Sequence, residues 1–401
     1  MQFGIDNQYW QIGPNFKGVK VIPPGAHYVY YSLKDEEFSA RMGFFIYINH
    51  RQPDNQDVVI RKWNEKNQEF QLLDEQQEEI SYQEGVRNMD FDKYLGVYPI
   101  DNYQQWQGLS NFIDQNTIKR IESLSNGMIL SEEQERQFRI EEEIQQQQEK
   151  EENKDNEQNA NADYDDIEET IEKLEKQVKD EEKKQQKAKK REYKYKDAYS
   201  SLYYSDIPKR KIITHLQGEA LTQANFDKSI ILQEVLEKSF QNQENSLLGE
   251  FQFAFVTFLL GENLESYDQW KKIVNLLCNC EIAVRDKFDL FYKFIPVFYE
   301  QLKQLPKDFF QAELSKVNFL NDSLKNFIEI CSDQSMPKKL RQRIDKLSQM
   351  LSIEYGFLPI LSLEQRLIQQ AQISNQQKKF DDMDDDDLPI VVDESEGFIS
   401  F

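Results

Sequence analysis

Histidine is scarce in this chain of 401 residues, which holds only His27, His50 and His215. His27 alone stands where acid–base chemistry could be staged, in the stretch GPNFKGVKVIPPGAHYVYYS at residues 13–32. A general base needs an orienting carboxylate and a nucleophile within reach, and spacing along the chain places neither. Turn chemistry explains the stretch without an enzyme. Pro24 fits the fixed φ of position i+1 in a type II turn, and Gly25 fits the positive φ of position i+2. His27 is therefore read as a structural, turn or interface residue.

The other reactive side chains lead no further. Cys278, Cys280 and Cys331 are odd in number and lack disulfide or zinc spacing, so they read as core thiols in a reducing compartment. The scattered histidines argue against a metal cluster. Carboxylates are abundant but concentrate in a polar middle segment and in the C-terminal tail, where no dry pocket could tune them. The tail's DDMDDDD run, residues 381–387, lacks the alternating spacing and glycine of a calcium loop. No phosphate loop, GxGxxG, HExxH or GxSxG pattern occurs. The expectation is a non-enzyme with no catalytic residue, no metal and no cofactor.

Two stretches could carry binding or regulation. In the tail, Leu388, Pro389, Ile390, Val391 and Val392 form a short strand-like run suited to adding a strand to a partner's exposed sheet edge. Ser200, Ser201 and Ser205 are candidate phosphorylation sites, because added charge there could alter a nearby interface.

The formal charge of −23 disfavours phosphate backbones and points to basic protein partners rather than direct nucleic-acid binding. The most apolar run, LLGEFQFAFVTFLLG at residues 247–261, is too short to span a bilayer and is interrupted by Glu250 and Gln252. It reads as a buried helix, with no membrane association. The N-terminus shows no basic flank followed by an apolar core.

The elements that would position these residues fall into four regions, an α+β chain overall. Residues 1–130 form a β-rich domain. Its runs GVKVI, HYVYYS, RMGFFIYIN, DVVIRKWN and EFQLL are short, β-branched and aromatic, with connections short enough for antiparallel pairing. Trp106, Leu109 and Ile113, at helical spacing, place one or two helices over this sheet. Residues 131–196 are a Glu/Gln/Lys linker with too little apolar surface to offset ordering, partly helical around Ile167, Ile171, Leu174 and Val178. Its basic end, residues 183–196, reads as the cationic end of a helix rather than an RNA-touching patch. Residues 197–380 are helical. One apolar stripe runs through Phe288, Phe291, Tyr292, Ile295, Phe298, Tyr299 and Leu302, with a kink expected at Pro296 and a stop before Pro306. The segment 247–261 is apolar on both faces, so other helices must surround it. Residues 381–401 are the acidic tail.

Several of these blocks, in order, resemble a known family. GIDNQYWQIGPNFKGVKVIPPGAHYVYYS, RMGFFIYIN, KYLGVYPIDNYQQWQGLSNFI, LLGEFQFAFVTFLLGENLESYDQWKKIVNLLCNCE, LPKDFF and NFLNDSL look like the corresponding blocks of the a1-alpha2 repression (AAR-two) splicing-factor family. The resemblance covers both folded regions and skips the linker, which is longer than in the family. It implies a β-rich domain followed by a VHS-like helical domain. It also implies a U5 snRNP assembly chaperone that binds the U5 snRNP precursor, in cytoplasm and nucleus. The implied partner is the large U5 scaffold protein, pre-mRNA-processing factor eight, bound through its RNase H-like and MPN-type domains, with helicase and RNA engagement delayed. LPIVVDE looks like the family's strand-contributing tail. Family members carry a strand-forming segment before the GID block, so either one strand is absent or the recorded start falls late. A VHS-type peptide-binding adaptor of membrane traffic is the alternative, on fold analogy alone.

Overall fold

The computed structural model describes residues 1–33, 41–49, 58–65, 69–73, 75–122, 128–130, 202–208, 227–306 and 319–357. The linker 131–196, Ser200, Ser201, His50, His215 and the tail with Leu388–Val392 lie outside the described residues.

The chain opens with a hairpin. β1 (Gln2–Ile5) and β2 (Gln8–Gln11) pair antiparallel with Ile5 opposite Gln8, leaving Asp6 and Asn7 as a two-residue turn. Asp6 takes φ 55°, a left-handed value that short polar side chains tolerate best. β4 (Gly25–Ser32) then pairs with β1 on one side and with β5 (Met42–Ile48) on the other. A short β9 (Ile129–Leu130) completes a five-stranded antiparallel sheet of order β2-β1-β4-β5-β9.

Gly25 has the positive φ expected after Pro24, at 127°. The strands on either side of that turn do not pair with each other, however. β3 (Gly18–Lys20) runs parallel to β8 (Leu95–Val97) in a separate two-stranded sheet. Pro23 and Pro24 supply no N–H for a ladder, and Val21 turns the chain with φ 61°. The DVVIRKWN run contributes only β6 (Lys62–Asn64), paired with β7 (Glu69–Gln71).

Both faces of the central strands are buried, which is why HYVYYS does not alternate between apolar and polar residues. On one face Phe3, Ile5, Val29, Phe44, Ile46 and Ile48 form a single cluster. On the other, Phe45 stacks on Phe253 of the helical region at 4.3 Å.

Helices cover the sheet as expected, through α2 (Tyr103–Ser110) and α3 (Gln115–Ile121). Trp106 of α2 is 1% exposed, and its indole N–H donates to the Ala26 carbonyl at 2.8 Å. Asp114 caps α3 by accepting from the Thr117 amide at 2.7 Å. An earlier helix, α1 (Gln76–Arg87), went unexpected, since QQEEISYQEGVR offers little apolar stripe.

Seven further helices follow among the described residues: α4 (Ser229–Phe240), α5 (Glu244–Gly261), α6 (Leu264–Leu277), α7 (Glu281–Asp286), α8 (Phe288–Gln304), α9 (Phe319–Ser332) and α10 (Lys338–Tyr355). The helix α5 is surrounded, as its two apolar faces require. It packs against α6, α8, α4, α2 and α3 and also meets β4 and β9. In α8 the buried stripe runs through Phe291, Phe294, Ile295, Phe298 and Leu302, so Phe294 takes a place given in the sequence to Tyr292. The shift follows from packing on two sides: Phe294 touches Phe251 of α5 and Phe327 of α9. Pro296 sits within α8, and Pro306 lies past its end.

Residues 1–344 form one contact unit. From Asp345 the chain clusters as a second, smaller unit, of which residues 345–357 are described. There α10 ends at Tyr355, and Gly356 follows with φ 63°.

Candidate functional site

His27 sits in the third position of β4, fully buried, and not in a turn or at an interface. Its Nδ1 lies 2.6 Å from Asp6 Oδ2, and its Nε2 lies 2.8 Å from the Pro23 carbonyl oxygen. A carbonyl can only accept, so Nε2 carries a proton. The Tyr98 hydroxyl donates to Asp6 Oδ2 at 2.7 Å, and the Tyr28 amide donates to Asp6 Oδ1 at 3.0 Å. Burial pushes the Asp6 carboxyl above the usual carboxylate range, against the hydrogen bonds from His27, Tyr98 and Tyr28 that pull it down.

An Asp–His pair with a tyrosine has the composition of acid–base machinery, but both ring nitrogens are committed and no edge of the ring reaches solvent. The group acts as a polar pin. It ties the β1–β2 turn to β4 and to the segment leading into α2. Asp6 was missed in the sequence, because the Asp-Asn link between QFGI and QYWQ lacks the glycine of the usual two-residue hairpin signals.

The second polar cluster joins the strand-rich region to the helices, and it is built on the residues that interrupt the apolar run of α5. Glu250, with no exposure, accepts from Arg120 Nη1 of α3 at 2.7 Å. It also accepts from the Ser205 amide at 3.1 Å, the Ser205 hydroxyl at 2.6 Å and the Gln269 side-chain amide at 2.8 Å. Two residues along, Gln252 accepts from the Phe112 amide at 2.7 Å and donates to the Gly108 carbonyl and Asn111 Oδ1. Asn263 caps α6 and donates to the Leu130 carbonyl of β9 at 3.0 Å. Close approach matters here too. A Cβ on Gly249 would lie 2.5 Å from the Phe112 carbonyl oxygen, so only glycine lets α5 lie against residues 112–117.

Ser205 is thus part of this seam, with its hydroxyl directed at a carboxylate. A kinase would reach that hydroxyl only with residues 202–208 lifted off α5, and a phosphoryl group would then face Glu250.

A third titratable group is Glu122, the C-cap of α3. Burial pushes the Glu122 carboxyl up to about 7, while the positive charge of Arg61 pulls it down. A carboxyl whose pKa is raised on folding favours the folded state at low pH. That contribution is lost as pH climbs from the unfolded value through about 7. Glu122→Gln should therefore match the natural chain in stability at pH 4 and exceed it by about 1–2 kcal/mol at pH 8, a magnitude discounted for partial exposure. Urea melts of both proteins at the two pH values give the comparison, and an equal gain at both would remove the titration as its cause.

Cys278, Cys280 and Cys331 are free and buried, and burial pushes their thiols upward, away from the reactive thiolate. Among the described residues no group of three or more His, Cys, Asp or Glu could hold a metal ion, and no helix is long and apolar enough to cross a membrane. What the first domain does present is an edge. β2 ends the sheet, and its Tyr9 and Trp10 are 60% and 37% exposed.

A strand-rich domain fastened through one buried helix to an all-helical region defines a two-part α+β protein. Its polar clusters tie strands and helices together. Comparison with known proteins narrows the class. The AAR2 N-terminal domain model matches residues 1–123, and the AAR2 C-terminal repeat region model matches residues 204–358. The chain is 30% identical over 361 residues to Protein AAR2 homolog of Caenorhabditis elegans, covering 88% of this chain and 90% of the relative. It is 28% identical over 360 residues to the proteins of the same name from Mus musculus and Homo sapiens, covering 88% of this chain and 86% of each. The chain belongs to the AAR2 family, the splicing-factor family that its sequence blocks resemble.

Proposed function

We propose that this protein is a non-enzymatic assembly factor for the U5 snRNP. It binds the large U5 scaffold protein at its RNase H-like and MPN-type domains and, by occupying that surface, delays helicase docking and RNA engagement. The observation that carries the reading is the in-order match of both family regions to the two halves that α5 locks together. The net charge of −23 accords with a protein partner rather than nucleic acid, and the buried state of His27 and the thiols accords with a role that is not catalysis. It acts on U5 snRNP precursors, in cytoplasm and nucleus.

Full-length protein should capture the scaffold's C-terminal region in a pull-down at micromolar concentration. Recovery of none would sink the proposal. Deleting residues 388–401 should weaken the complex on the order of tenfold, about 1.4 kcal/mol, by removing the main-chain bonds of an added strand. An unchanged dissociation constant would leave binding to the two folded regions alone.

A further inference from the structure

The first domain contains a hollow of about 840 Å³ that plays no part in the seam or in the His27 pin. Its floor is the sheet face of Phe3, Ile5, Val29, Phe44, Ile46 and Ile48. Val19 of β3, Leu95 of β8, and Tyr82 of α1 with Phe91 just beyond it face that floor. Protein interiors pack to crystal-like density and leave few voids larger than a water molecule. A hollow of this volume falls in the range of roughly 300–1,000 Å³ typical of small-molecule sites.

Four cations line this otherwise apolar wall, Lys17, Lys20, Arg61 and Lys62. Arg61, just before β6, lines the hollow with its guanidinium 5.0 Å from the Phe44 ring centroid. Its Nη1 donates to the Ile60 carbonyl at 3.2 Å, while its buried Nε has no hydrogen-bond partner. Glu122 and Glu79 act on it through space, and neither is hydrogen-bonded to it among the described residues. Lys17 also lines the hollow, its ammonium 5.4 Å from the Phe91 ring centroid. A partly buried guanidinium with an unused, buried Nε–H, beside a long apolar floor, matches a ligand with one anionic end and a hydrocarbon body.

We propose that this hollow binds a free long-chain carboxylate. The chain lies along the sheet face and the carboxylate accepts from Arg61, which gives the domain a ligand in addition to its macromolecular partner.

The test uses the full-length protein and cis-parinaric acid, a fluorescent long-chain carboxylate, below its micelle concentration. Saturable one-to-one binding in the low micromolar range is expected, displaced by oleate and at least tenfold less well by oleyl alcohol. Arg61→Met should weaken binding at least tenfold with an unchanged circular dichroism spectrum, and Ile46→Trp should block the hollow. If a variant fails to fold, the acid-against-alcohol comparison on the natural protein still decides. No saturable signal, equal displacement by acid and alcohol, or undiminished affinity in a folded Arg61→Met would each overturn the proposal. So would sedimentation with phosphatidylcholine vesicles in the absence of free-acid binding. Scaffold pull-down from the same preparation keeps failure here separate from failure of the assembly role.

Discussion

Replacing Glu250 by leucine should destabilise the protein by about 4 kcal/mol, although leucine is similar in size and the site is wholly buried. The natural carboxylate accepts four hydrogen bonds from three residues on three separate segments. Leucine orphans the Ser205 amide and leaves the Arg120 charge at the seam without its counter-ion. Each buried group left unpaired costs roughly 1–3 kcal/mol. Arg120 is 31% exposed and can recruit water, which keeps the total below the sum of these costs. Urea-unfolding midpoints at constant m-value measure the loss. A double variant with Arg120→Met should recover about 1–2 kcal/mol, because the uncompensated charge goes with it. A Glu250→Leu protein within 1 kcal/mol of the natural one would mean that the seam is not held by this carboxylate.

Asp6→Ala should cost nearly as much, about 3–4 kcal/mol, for two separable reasons. It strips the acceptor from His27, the Tyr98 hydroxyl and the Tyr28 amide, all inside the domain. It also puts alanine at φ 55°, where Asp and Asn are tolerated better than other residues with a Cβ. Asp6→Asn separates the two effects, since asparagine tolerates that φ and still accepts from the Tyr28 amide. A loss of about 1–2 kcal/mol is expected for it. Equal losses in the two variants would assign the whole effect to the hydrogen bonds, and no loss in either would show that the pin is dispensable.

Both sites show what a linear reading of the chain reaches and where it stops. The periodicity of residues 247–261 announces a helix apolar all round, and α5 is that helix. Glu250 and Gln252 looked like blemishes in it, because their partners Arg120, Asn111 and Gly108 lie 130 or more residues away. Composition and spacing carry no signal across such separations. The reading of His27 as structural came from a turn context, whereas it lies inside β4; the carboxylate beside it was not legible, since Asp6 lies in a hairpin whose strands have only four residues each. The stretch 18–32 yielded two strands correctly, but their shared turn suggested pairing that Pro23, Pro24 and Val21 preclude. The family blocks were legible throughout, because long similarity in order survives where local propensity fails.

The ends of the long charged insertion tell what it does not do. β9 finishes at Leu130, whose carbonyl is held by Asn263, and the chain returns at Leu202. There Tyr203 bonds to Ile121, and Tyr204 meets Ser266, itself hydrogen-bonded to Asn263. Departure and return thus lie at one doorway. The chain is held on both sides of residues 131–201 within one contact unit. Because closure entropy grows only logarithmically with loop length, a longer connection between Leu130 and Leu202 costs the fold little, and its ends stay where Asn263, Ser266 and Ile121 hold them.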